Sequence, residues 1–101
     1  MNQQTVTRYQ AEVEALESSL RENIAAAGSR SAAREINAPI KARLAIVDSI
    51  LGAIDHTDAG FAADAMKSIT YRAADNRPIS CKADEADRET ARAALTEIAS
   101  L

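Results

Sequence analysis

The sequence predicts a mainly α chain, an N-terminal antiparallel helical hairpin followed by a small helix, β-hairpin, helix lobe. Three observations predict it. Alanine supplies about half of an apolar fraction of 47%, and alanine has the highest helix propensity of any residue. Large apolar residues recur at the helical period in two long stretches. Between residues 68 and 82 that period gives way to alternation around turn-forming residues. The alternative is an all-α four-helix chain, with the third helix running on to Ala74 and residues 75–83 forming a loop.

The first helix is predicted over Gln4 to Ala27. Val6, Tyr9, Val13, Leu16 and Leu20 follow one another at spacings of 3, 4, 3 and 4, a two-position heptad seam. Asn23 takes the next seam position, with Ile24 beside it. Gly28 is read as the left-handed cap that ends this helix, and Ser29 or Ser31 as the start of the next. At 24 residues the helix would be roughly 36 Å long, which predicts that part of it touches another chain.

Pro39 is read as a break. Ser31 to Ile36 would form a short helix, Asn37 would cap the next, and Pro39 would sit in its first turn, where a missing N–H costs nothing. The second helix proper is placed from about Ala38 to Ile54. Ile40, Leu44, Val47, Leu51 and Ile54 repeat the seam, while Ile46, Ile50 and Ala53 add a second apolar strip about 100° round the axis. Two strips imply two packing partners. The helical hairpin is thus placed over 4–54 and the C-terminal lobe over 58–101, within a single domain of 1–101.

Thr57 or Asp58 caps a third, weaker helix through about Met66, with Phe61, Ala62, Ala65, Met66 and Ile69 on its apolar face. Ile69, Tyr71 and Ala73, then Ile79, Cys81 and Ala83, alternate with polar residues around Ala74 to Pro78, which predicts a β-hairpin over 68–82. Asp84 caps the last helix, with Glu85, Asp87 and Glu89 at its positive end. Ala91, Ala94, Leu95 and Ile98 form its buried stripe, and Asp84–Arg88 and Glu89–Arg92 are expected ion pairs.

Net charge is −3, with the signs alternating by segment. The first helix is acidic and the stretch 28–46 is basic, through Arg30, Arg34, Lys41 and Arg43. Residues 47–66 are acidic again. This suits neighbouring elements that pair with each other better than a continuous nucleic-acid track. One cysteine, no signal peptide and no apolar run of spanning length point to a reducing, cytoplasmic setting without a membrane anchor.

No catalytic pattern emerges. His56 between Asp55 and Asp58 lacks metal-site spacing and reads as interhelical turn chemistry. Cys81 reads as a small core residue rather than an activated nucleophile. The acids at 84–89 are explained by capping, and Gly52 and Gly60 form no phosphate loop; Gly52 marks a close helix crossing. No cofactor is implied.

The expectation is therefore a non-enzymatic interaction protein. It would self-associate as a homo-oligomer and bind or block a partner protein, as a small bacterial or phage accessory or inhibitor protein does. Its interface would comprise Ile46, Ile50 and Ala53, with Arg43 at the rim, and Tyr9 and Asn23 in the first helix's seam, where an asparagine can fix register or oligomer state. Arg30, Arg34, Lys41 and Arg43 are a candidate anion site, and with it comes an alternative, an oligomeric sequesterer of an anionic or nucleotide ligand. Over about the last 45 residues, a helix, a two-stranded hairpin and a closing helix are similar, in architecture alone, to the small head-to-tail joining proteins of tailed phages. That similarity implies a virion assembly component as a further alternative.

Overall fold

Helix α1 (Gln3–Ala26) and helix α2 (Arg30–His56) pack along each other as an antiparallel pair. They are followed by the short α3 (Ala59–Ala65), strands β1 (Ile69–Arg72) and β2 (Pro78–Cys81), and the closing α4 (Glu85–Ala99). The computed structural model describes residues 3–72 and 75–100, and the body measures 50 × 24 × 20 Å. The mainly α fold and the strand-bearing C-terminal lobe agree with the sequence.

The strands pair antiparallel, with Thr70 opposite Ser80 and Tyr71 opposite Ile79. Alternation sets this register: Ile79 and Cys81 are half-buried while Pro78 and Ser80 face solvent. On that outer face the Thr70 and Ser80 hydroxyls meet at 2.9 Å. Ala73 and Ala74 lie outside the described residues. Beyond them Asp75 accepts the Arg77 N–H, and Asn76 takes a left-handed φ of 66°, a conformation asparagine tolerates.

Two expectations about the helical hairpin are corrected. Helix α2 is continuous from Arg30, with Pro39 inside it. Glu35, Ile36 and Pro39 are all exposed, so the carbonyl that loses its N–H partner, that of Glu35, belongs to an exposed residue rather than to the packed face. Asn37 is no cap; it is a buried interhelical residue. Gly28 has no positive φ. The chain leaves α1 through an extended Ser29, whose hydroxyl accepts the Ala32 N–H at 3.1 Å and starts α2.

The second apolar strip of α2 is also corrected. Ile46, Ile50 and Ala53 are almost wholly shielded within the chain. Ile46, Val47 and Ile50 share a cluster with Tyr9, Ala65, Ala83 and Ala91, while Ala53 packs with Ala62 of α3 and Ala94 of α4. The strip's second partner is thus the chain's own C-terminal lobe. Burying each of those three large side chains is worth roughly 1.5–3 kcal/mol, so this is the main stabilising face of α2. Alanines make the approach of α3 and α4 possible. Gly52 marks a close crossing, as the sequence implies: a Cβ there would lie 3.0 Å from the Phe61 ring.

Helix α4 begins with a reciprocal capping box. Asp84 accepts the Asp87 N–H at 2.9 Å and Asp87 accepts the Asp84 N–H at 3.1 Å. The Asp84 carboxylate is spent on the cap, and in place of the expected pairings Arg92 at 3.0 Å and Arg88 at 3.6 Å both meet Glu85. Among the described residues no helix is long and apolar enough to cross a membrane.

Candidate functional site

Spacing along α2 divides its basic residues into two sets. Arg30, Arg34 and Lys41 recur at the helical period and share one face, whereas Arg43 lies two residues beyond Lys41, about 200° further round the axis. The structure keeps this division. Arg30, Arg34 and Lys41 line one open groove at the closed end of the helical hairpin, with Ile24, Ala27 and Ala33 among its apolar lining. The groove encloses about 460 Å³. Arg43 does not belong to it.

Arg43 instead joins three helices. Its Nε and Nη2 donate to the two carboxylate oxygens of Glu12 on α1 at 2.6 and 2.9 Å. Its Nη1 and Nη2 donate to the Asp87 carboxylate on α4 at 2.5 and 3.2 Å. The Tyr9 hydroxyl donates to Asp87 Oδ1 at 2.8 Å, and the Arg8 guanidinium lies 4.9 Å from the Tyr9 ring centre. A cleft of about 170 Å³ lies beside this cluster, lined in part by Arg8 and Asp84.

The electrostatics fix these charges rather than ready them for proton transfer. Burial alone would raise the Asp87 carboxyl, but donation from Arg43, Tyr9 and the Asp84 N–H outweighs it and holds the group down to about 2. Arg43 is held above its ordinary value, first by its bonds to Glu12 and then by those to Asp87. Burial pushes the Tyr9 hydroxyl up, and its bond to Asp87 adds to that. At neutral pH the cluster holds one cation between carboxylates, a joint in which each acceptor is already engaged.

The interface residues read from the sequence fare differently. Ile46, Ile50 and Ala53 are core. Arg43 is no rim residue and no anion site, because its donors are spent inside the chain. Tyr9 is 2% exposed and its hydroxyl bonds inward. Asn23 bridges the two helices of one chain, donating to the buried Asn37 Oδ1 at 2.9 Å, while Asn37 Nδ2 reaches the Leu20 carbonyl at 3.4 Å. The asparagine thus pairs α1 with α2 inside one chain.

Asp87 is the residue that sequence reasoning missed. Its place among the capping acids suggested exposure, yet it is 3% exposed. A signal was present: Ala83, Asp87, Ala91 and Ala94 follow at spacings of 4, 4 and 3, which puts Asp87 on the alanine face of α4. Cys81 is half-buried against the core, as expected. The His56 side chain lies outside what the structure describes. Among the described residues no group of three or more metal-ligating side chains converges. No known protein family, curated protein or solved structure matches this chain.

Proposed function

We propose that this chain is a non-catalytic interaction protein that self-associates and binds or blocks a partner protein, with the closed end of its helical hairpin as the working surface. The observation that carries this reading is the separation of core from exposed aliphatics. The core gathers where the open end of the hairpin meets the C-terminal lobe. Of the 24 residues of α1 only Tyr9 is fully buried. At the closed end two large aliphatic side chains remain in water, Ile24 at 62% and Ile36 at 49% exposure. An apolar groove with an exposed aliphatic in its lining, Ile24, is a surface on which a partner can bury apolar area. The titratable groups that the fold brings together at Arg43 are consumed by one another, which favours binding over catalysis. A reducing, cytoplasmic setting fits the single free cysteine.

Light scattering and sedimentation velocity on the full chain test this reading. The expected result is an oligomer that Ile36→Asp converts to monomer without loss of helicity. Because Ile36 is exposed, the substitution leaves the core intact. A chain that is monomeric throughout the micromolar range, and that Ile36→Asp leaves unchanged, would overturn self-association.

A further inference from the structure

Among the described residues five of the twelve lysines and arginines, Arg43, Lys67, Arg77, Arg88 and Arg92, meet carboxylates. The groove at the closed end gathers three of the others on one face. Arg34 is drawn toward the β-hairpin by an Nε–H bond of 3.0 Å to the Arg72 carbonyl. Among the described residues neither Arg30 nor Lys41 meets a carboxylate. Among the described residues no acidic side chain lines the groove. The result is an apolar floor of Ile24, Ala27 and Ala33 edged by three cations and by no anion, in a chain whose net charge is −3.

The spread of these charges identifies the kind of ligand. Arg30 and Lys41 are eleven residues apart on α2, roughly 16 Å along the axis at 1.5 Å per residue. A single phosphate or carboxylate group is too small to serve the whole row. A small apolar anion would need a pocket that encloses most of its surface, whereas Ile24 on the floor is 62% exposed. An open channel three turns long, with charges at the helical period, matches a second helix laid alongside α2.

We propose that the groove receives an acidic amphipathic helix of a partner protein. Carboxylates along one edge of that helix would meet Arg30, Arg34 and Lys41, and an aliphatic side chain beside them would rest on Ile24, Ala27 and Ala33. The proposal rests on reading the chain as an interaction protein and names the surface and the chemistry of its partner.

The test is selection of helical peptides from a randomised display library on the full chain, repeated on the double variant Arg30→Glu/Lys41→Glu. Both positions are exposed, and glutamate in the first turn of α2 is favourable, so circular dichroism should match the parent. The expected result is enrichment of Asp or Glu with Leu or Ile at helical spacing. The variant should bind those peptides about tenfold more weakly or worse, and added salt should weaken binding to the parent.

Peptides without acidic enrichment, or bound equally by the variant, would overturn the proposal. So would equal binding of polyglutamate, which has no aliphatic anchor. If no peptide is selected and the double variant instead lowers self-association of the full chain, the occupant is a second copy and the partner helix is abandoned. Failure of the Ile36→Asp experiment leaves this selection untouched, because Ile36 lies outside the groove lining.

Discussion

Arg43 and Asp87, 44 residues apart, face each other through two hydrogen bonds of 2.5 and 3.2 Å and tie the middle of α2 to the first turn of α4. The Asp87 side chain is 4% exposed and that of Arg43 is 25% exposed. A carboxylate so withdrawn from water is tolerable only while its donors are in place. Arg43→Met should therefore cost about 3–5 kcal/mol in urea unfolding, because it strands Asp87. Combining it with Asp87→Leu should recover part of that loss, since the buried carboxylate is gone and the one left without Arg43, Glu12, is 32% exposed to water. Additive losses in the two single variants would show that the pair does not act as a unit.

The same carboxylate makes stability depend on acid. Asp87 ionises at about 2 in the folded chain, against an ordinary 3.8, so between those values the unfolded chain binds more protons. Its contribution of roughly 2 kcal/mol is complete above pH ~4 and is lost as pH falls toward 2. Asp48 works in the opposite sense. Burial, and then the nearby Glu17 charge, raise its carboxyl, so its ionisation costs stability above the raised value and that cost disappears on acidification. Urea midpoints measured down the pH scale should fall less steeply in Asp87→Asn than in the parent, and Asp48→Asn should raise stability at neutral pH. Parallel acid curves for parent and Asp87→Asn would contradict this assignment.

Local signals in the sequence located the elements because each element has a local cause. The seam from Val6 to Leu20, the Asp58 and Asp84 caps and the alternation about Ile79 each act within a few residues. What failed was partner assignment. Ile46, Ile50 and Ala53 announce a second packing surface, but periodicity carries no information on whether the cover comes from the same chain. Alanines 62, 65, 91 and 94, small and unobtrusive, turned out to be that cover. Pro39 misled for a different reason: its cost depends on where the orphaned carbonyl points, and that is a tertiary fact. Of the candidate site, the grouping of Arg30, Arg34 and Lys41 follows from helical spacing, and the same spacing separates Arg43 from them.

Gly52 and Phe61 give a packing test of the α2–α3 crossing. A Cβ at Gly52 would meet Phe61 Cδ1 and Cγ at 3.0 Å, closer than carbon atoms approach without displacement. Alanine in a helix interior gains about 1 kcal/mol over glycine, and displacing the ring should cost about 1–3 kcal/mol. Gly52→Ala is thus expected to be neutral or destabilising. In a Phe61→Ala background the obstruction is gone, and the same substitution should stabilise by up to about 1 kcal/mol. Thermal unfolding of the four chains reads the change of sign; an equal effect in both backgrounds would mean that the ring does not limit the crossing.

Asn23 and Asn37 allow register to be separated from stability. Asn37 is 2% exposed and offers its carbonyl oxygen to Asn23 at 2.9 Å and its amide to the Leu20 carbonyl at 3.4 Å. Asn23→Leu leaves the Asn37 oxygen without that donor in a buried position, a loss of about 1–3 kcal/mol. Replacing both asparagines with leucine removes the unmet acceptor and adds apolar area, so the double variant should be more stable than Asn23→Leu. It also removes the polar pairing that distinguishes one alignment of α1 on α2 from an alignment slid by a turn. Amide protection around Leu20 and Asn23 should accordingly fall in the double variant relative to the parent. If the double variant is no more stable than Asn23→Leu, the pair is not the source of the cost. If exchange keeps its parent profile, register is set by the Arg43 joint with Glu12 instead.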